Sequence, residues 1–350
     1  MKISKLASLP ALGIALAVFS ATSAWADQPY WQNSGTGEFQ TASNWYITGN
    51  PGGIPTSGSS ISTLAAGTTG TINYDSTTVI ALGATYSINA FSGFNNSFSL
   101  TAGELDANST STFSGVSQTP TLTINGGTLA GSASSYTFSS YAVNLQSGTF
   151  TVVKSLATNS SLNVSGGTLT TGRVLDIQNA STMVVTGNTA TITTNATNGT
   201  NANGMFWLES GGTLKEVFGS GGITPINIKS NTAGASVAFT LAGALQVDLS
   251  GLSLTADNST HPFTLIDASY LSTAKYGVGA FSGFNIVGTA NSNVSSAYWS
   301  FSNSSLVQAN PGGVYKTVYL DVITVPEPAT WALLAFSLTT VMVLRRRRRD

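Results

Sequence analysis

Along residues 96–230 apolar side chains recur at every second position, and each run breaks at glycine. TLTINGGTLAG, YAVNLQSGTFTVV and SLNVSGGTLTTG all alternate apolar with polar residues, turn, and resume the alternation. A period of two places successive side chains on opposite faces, so the pattern predicts strands with one face buried. Aligned on the turn, the copies keep one register. Leu122 and Ile124 precede Gly126-Gly127, and Leu129 follows; Val143 and Leu145 precede Ser147-Gly148, and Phe150 follows. Leu162 and Val164 precede Gly166-Gly167, with Leu169 after; Met183 and Val185 precede Gly187-Asn188, with Ala190 after. Phe98 and Leu100 precede Ala102-Gly103, with Leu105 after. FWLESGGTL joins the set only through a bulge, because alignment on Gly212 turns Glu209 inward.

The turn residues Gly103, Gly127, Gly148, Gly167, Asn188 and Gly212 lie 24, 21, 19, 21 and 24 positions apart. Glycine takes positive φ without steric cost, and asparagine is the best substitute. A repeat of about 20 residues with one strand–turn–strand unit predicts an all-β chain whose body is a parallel β-solenoid, or β-helix. Six coils at about 4.8 Å between strands span roughly 30 Å. An antiparallel β-sandwich is the alternative reading of the same alternation. Irregular β caps are expected on both sides, over residues 27–95 and 231–324. Trp31 and Trp45, in WQNSGTGEFQTASNW, are suited to closing the open end against further strand addition. ALQVDLSGLSL, HPFTLIDAS and VYKTVYLDV supply the strands of the second cap.

Both ends read differently. Residues 1–26 carry Lys2 and Lys5, an apolar run, then Ala24-Trp25-Ala26. That order predicts a secretory signal helix, cut before Asp27 by signal peptidase, with Ala24 and Ala26 as the small residues it requires. Residues 325–350 open with Val325-Pro326-Glu327-Pro328, continue through an apolar stretch at 329–344, and close on Arg345, Arg346, Arg347, Arg348 and Arg349. Sixteen apolar residues rise about 24 Å as a helix, against a bilayer core of about 30 Å. A short membrane helix is therefore expected, with flanking residues snorkelling or the bilayer thinning around it. Arginines stay on the cytoplasmic side, which puts the body outside.

With the ends set aside the charge balance changes. The whole chain has 13 basic and 14 acidic residues, but residues 27–325 keep six basic against twelve acidic, a net charge of −6. No basic patch remains to neutralise phosphates, so nucleic acid is not an expected partner. The chain has no cysteine, so an exported body depends on burial and backbone pairing.

Candidate chemistry is sparse. His261 is the single histidine and has no cysteine or second histidine beside which to bind metal, so neither metal nor cofactor is expected. No G-x-S-x-G elbow occurs. Glycoside hydrolysis needs two carboxyls, and the pairs to weigh are Glu104 with Asp106 and Glu209 with Glu216. Arg173 and Asp176 are expected to form a surface ion pair. The residues following the turns, Thr128, Thr149, Thr168, Thr189 and, with the bulged copy, Thr213, form one outward threonine column. Thr151, Thr170 and Thr191 form a second. Threonine suits any exposed β surface, and the same columns also offer a regular hydroxyl-and-methyl face to polysaccharide or ice. Asn-x-Ser/Thr triplets, among them those at Asn108, Asn159, Asn163, Asn195 and Asn258, are candidate glycan acceptors.

The tail, Pro326-Glu327-Pro328 followed by the apolar stretch and the arginines, resembles the PEP-CTERM sorting signal of Gram-negative bacteria. The body, through NGGTLAG, SGGTLTT and an NW-containing start, is similar to autotransporter-associated β-strand repeats. The resemblance implies processing by an exosortase near Pro326-Glu327-Pro328, transient attachment to the inner membrane, and release to the cell surface or an exopolysaccharide matrix. The function expected is that of a non-enzymatic surface or biofilm-matrix protein. A glycan-binding adhesin (or ice-binding protein) using the threonine face, and a β-helix polysaccharide lyase or hydrolase, are the alternatives.

Overall fold

Between residues 71 and 286 the described strands do not pair with their neighbours in sequence. Each pairs in parallel with a strand about one repeat away, and three such ladders run side by side. The computed structural model describes most of residues 97–301 and 317–347, with short pieces between 30 and 94. The signal segment with Ala24 and Ala26, and Asn108, Arg173, Glu327, Arg348 and Arg349, lie outside the described residues.

The first ladder joins Thr71–Tyr74, Ser97–Leu100, the first halves of Thr121–Ala130 and Ala142–Thr151, Ser161–Val164, Thr182–Thr186, Thr213–Val217, Ala244–Asp248 and Gly283–Ile286. The second joins Thr85–Ile88, Glu104–Ala107, the second halves of Thr121–Ala130 and Ala142–Thr151, Thr168–Thr171, Thr191–Ala196, Ile226–Asn231 and Thr260–Asp267. The third is a seven-stranded sheet of Ser111–Ser114, Tyr136–Ser139, Val153–Leu156, Leu175–Ile177, Phe206–Leu208, Val237–Leu241 and Tyr276–Gly279. The protein is thus mostly β, with parallel sheets and one C-terminal helix. The repeat holds three strands where the alternation predicts two, and the ladders continue past residue 230, where the second cap is expected to begin. Parallel pairing across this region is incompatible with an antiparallel sandwich.

In-register parallel pairing sets each residue on its equivalent in the strand below. Leu122, Val143, Leu162, Met183, Leu214 and Leu245 form one buried column. Leu129, Phe150, Leu169, Ile192, Ile226 and Ile266 form another, and Phe113, Phe138, Leu156, Ile177, Leu208 and Leu241 a third. Full burial of each such side chain contributes about 1.5–3 kcal/mol. The core is aromatic toward the N-terminal end. The Phe113 ring stacks on Phe138 at 4.8 Å between centroids, and Phe91 lies 4.8 Å from Phe113 on the other side. Trp45 is buried there, its indole N–H donating to the Phe39 carbonyl at 2.6 Å. Only the backbone of Trp31 is described, paired antiparallel with Trp45.

Turns between the first and second ladders also stack. Gly148 has φ +81°, and a Cβ there would meet the Gly127 carbonyl oxygen at 2.2 Å. Of the expected turn residues Gly103, Gly148 and Gly167 take positive φ, whereas at three other sites the preceding glycine does: Gly126, Gly187 and Gly211. FWLESGGTL departs further from expectation. Phe206–Leu208 belongs to the third ladder and Thr213–Val217 to the first, so no bulge is needed. Gly211 is the counterpart of Asn159 and Ala180, both at φ +59°, where the third ladder turns into the first.

At the C-terminal end pairing changes sense. Thr317–Thr324 lies antiparallel between Thr260–Asp267 and Val294–Ser300. The helix Pro328–Arg347 follows two residues after the cap hydrogen-bonding ends at Val325. No described helix is long and apolar enough to cross a membrane.

Stacked turns make a direct prediction. Gly148→Ala combines unfavourable φ with a backbone clash and is expected to cost about 3 kcal/mol. Gly187→Ala, at φ +67° with nothing within 4 Å of the new Cβ, should cost only about 1 kcal/mol. Equal losses in thermal unfolding of the two variants would show that turn stacking contributes nothing.

Candidate functional site

The second ladder brings Thr128, Thr149, Thr168 and Thr191 into one outward column. Thr151, Thr170 and Thr193 form the next. Three expectations are corrected here. Thr191, expected beside Thr151 and Thr170, pairs with Thr168 and so stands in the first column. Thr189 is not in the column: it sits exposed in the turn, its hydroxyl donating to the Ser165 carbonyl at 3.1 Å. Five residues separate Val185 from Thr191, against three between Val164 and Thr168, and the two extra residues shift the register. Thr213 pairs with Thr182 in the first ladder and is remote from this face in register. The columns are also less open than outward placement suggests. Thr128, Thr149, Thr151, Thr168 and Thr170 are half-buried, because strands about 4.8 Å above and below cover their flanks. Amides stack alongside: Asn163 Nδ2 donates to Asn144 Oδ1 at 2.7 Å, and Ser147 Oγ to Asn125 Oδ1 at 2.9 Å. Along Thr128, Thr149, Thr168 and Thr191 the result is an uncharged run of evenly spaced hydroxyls flanked by amides.

Glu104 and Asp106 extend the two columns, half-buried on either side of buried Leu105. Asp176 stands on the third ladder, where Gln178 Nε2 donates to it at 2.9 Å. Among the described residues no group of acids and histidine has the makings of a metal site.

Glu209 and Glu216 belong to different parts of the coil. Glu209 follows the third-ladder strand, half-buried, whereas Glu216 points inward from the first ladder. It occupies the column of Ile124, Leu145, Val164, Val185 and Val247. Its side chain is fully buried, and neither carboxyl oxygen has a hydrogen-bond partner among the described residues. Desolvation pushes its pKa well above the ordinary value of 4.5. The alternation Leu214-x-Glu216-x-Phe218 carried the signal, but aligning the copy on Gly212 hides it.

A third polar cluster lies where the cap meets the tail. Asp257 Oδ1 accepts from Thr324 Oγ1 at 2.6 Å and from the Ser259 backbone N–H at 3.1 Å, and lies 3.3 Å from His261 Nε2. Hydrogen bonds from Ser259 and then Thr324 hold the Asp257 carboxyl far below the usual carboxylate range. His261, the single histidine, is half-buried in this cluster. Beyond it Val325 and Pro326 lead to the helix, on which Leu333, Phe336 and Met342 are 71%, 72% and 66% exposed and Arg345 and Arg346 are exposed.

No protein-family model matches the chain, and neither a curated protein nor a solved structure is significantly similar to it.

Burial of Glu216 gives stability a pH signature. The folded protein holds a proton that the unfolded chain releases above about 4.5, so this group's contribution is complete below that pH. It falls as pH rises toward the raised folded pKa, by up to about 1.4 kcal/mol per unit. Glu216→Gln should abolish this decline in the stability difference from wild type. Glu216→Val, of similar volume, should stabilise by about 1–3 kcal/mol at neutral pH. Parallel pH profiles for wild type and Glu216→Gln in urea unfolding would contradict the assignment.

Proposed function

We propose that the protein is an exported, non-enzymatic surface or matrix protein, with a three-sided β-solenoid body and a PEP-CTERM-type sorting tail. The observation that carries this reading is the order at the C-terminus. The last body strand ends at Thr324, Pro326-Glu327-Pro328 follows, and the helix then exposes an apolar surface on all sides before the arginines. A helix apolar all round needs a non-aqueous surrounding. Its apolar stretch is shorter than an ordinary span, so it enters a membrane only with local thinning or snorkelling arginines. In this reading signal peptidase removes residues 1–26, the arginines hold the tail in the inner membrane, and an exosortase processes the motif outside. Three ladders with matched registers support a solenoid, since each coil contacts only its neighbours.

A second reading is favoured by the neutral threonine and asparagine face: glycan binding by the same body. An exopolysaccharide strand offers hydroxyls that pair with such a surface without charge. The lyase or hydrolase reading gains no support from Glu216, whose carboxyl no glycan can reach.

Deleting residues 326–350 should abolish retention at the cell surface or matrix while leaving export intact; undiminished surface display would overturn the sorting reading. Purified body incubated with acidic exopolysaccharide should yield no new reducing or unsaturated ends. If the threonine face binds glycan, Thr149→Lys with Thr168→Lys should remove co-sedimentation, and persistence of binding in the double variant would dismiss that face.

A further inference from the structure

The body keeps hold of the chain up to the edge of the processing motif. Thr324 N–H donates to the Ser259 carbonyl at 3.0 Å. Both backbone groups of Val325 are also engaged: its N–H donates to the Asn293 carbonyl at 2.8 Å, and its carbonyl accepts from Asn258 N–H at 3.1 Å. The strand behind them, Thr317–Thr324, is paired on both sides. An enzyme that cuts a peptide binds it extended, using the backbone groups that flank the cut. At this junction those groups already have partners in the body.

We propose that Asp257 is a positioning residue that latches the segment Thr324-Val325 onto the cap, so that the junction must open locally before a processing enzyme can bind the chain ahead of its cut. The proposal rests on the sorting reading of the tail for its biological meaning, but not for its physical content. Asp257 is the centre of the latch because its Oδ1 accepts from the Thr324 hydroxyl and the Ser259 N–H and lies 3.3 Å from the His261 ring. An ionised acceptor makes these bonds stronger than neutral ones. The left-handed backbone of Asn258, at φ +57°, bends the loop so that carboxylate and amides face the same strand end. Without the carboxylate, the buried Thr324 hydroxyl is left with the Ser259 carbonyl at 3.3 Å, and the Ser259 N–H with the Thr324 hydroxyl at 3.1 Å. The latch takes no part in breaking a bond; it sets how often the segment is free.

The test is limited proteolysis of the purified full chain in detergent with a broad-specificity protease at limiting concentration. Cuts between residues 323 and 327 are timed by mass spectrometry, and cuts elsewhere in the body and thermal unfolding are followed in parallel. Asp257→Ala and Thr324→Val should speed the junction cut about tenfold, since local opening is separable from global unfolding. Asp257→Asn, which keeps an acceptor oxygen, should restore most of the protection. Junction cuts at the wild-type rate in both Asp257→Ala and Thr324→Val would overturn the latch. So would acceleration shared equally by the rest of the body, which marks a general loss of stability. In cells, Asp257→Ala should hasten loss of the tail. If neither wild type nor variant ever loses the tail in cells although the protease result holds, the sorting reading fails and the latch stands.

Discussion

Parallel, in-register backbone pairing is the constraint on which the rest of this structure depends. Because each rung repeats about 4.8 Å above the last, a residue's environment is set by its equivalents in the strands above and below. Apolar residues stack into columns that bury one another completely, and Asn144 and Asn163 meet amide to amide. Turns are brought so close that Gly148 has no room for a side chain against Gly127. A chain without cysteine relies on these repeated contacts. Glu216 shows the same rule from the other side: placed in an aliphatic column, it takes the column's dryness without a partner among the described residues to offset it.

Alternation was legible in the sequence because it is the direct imprint of this pairing. Leu122 and Ile124, Val143 and Leu145, and Leu162 and Val164 stand in register as their spacing from the turns suggests. Harder to read were the corners. Gly-Gly-Thr-Leu occurs at residues 126–129 and 166–169 between the first and second ladders, and at 211–214 between the third and the first. Both corners need a positive φ and little bulk, so the same four residues satisfy either, and the motif does not say which. The third ladder is built from short pieces such as Leu175–Ile177 and Phe206–Leu208, too brief to display a period of their own. The two extra residues between Val185 and Thr191 left no mark in composition, and the threonine columns shift with them.

The polar face and the tail junction differ in how far sequence could reach. Threonines on one strand face follow from alternation alone, whereas their half-burial comes from strands stacked on both sides. Asp257 and Thr324 lie 67 positions apart, and nothing local in either segment announces their contact. Only the antiparallel turn-back of the cap joins them. Motif order is what allows the C-terminus to be proposed as a sorting signal, and the fold adds only that Pro326 follows directly on Val325, where the body's own hydrogen bonding stops.

That arrangement has a mechanical side. Thr317–Thr324, the strand that leads into the tail, is the middle strand of the antiparallel cap rather than an edge. A pull on the tail therefore travels along a strand gripped from both flanks, and the rungs on either side share the load in shear instead of peeling one after another. Were the tail held as proposed, a load on the body would be borne by a strand arranged to resist being unzipped.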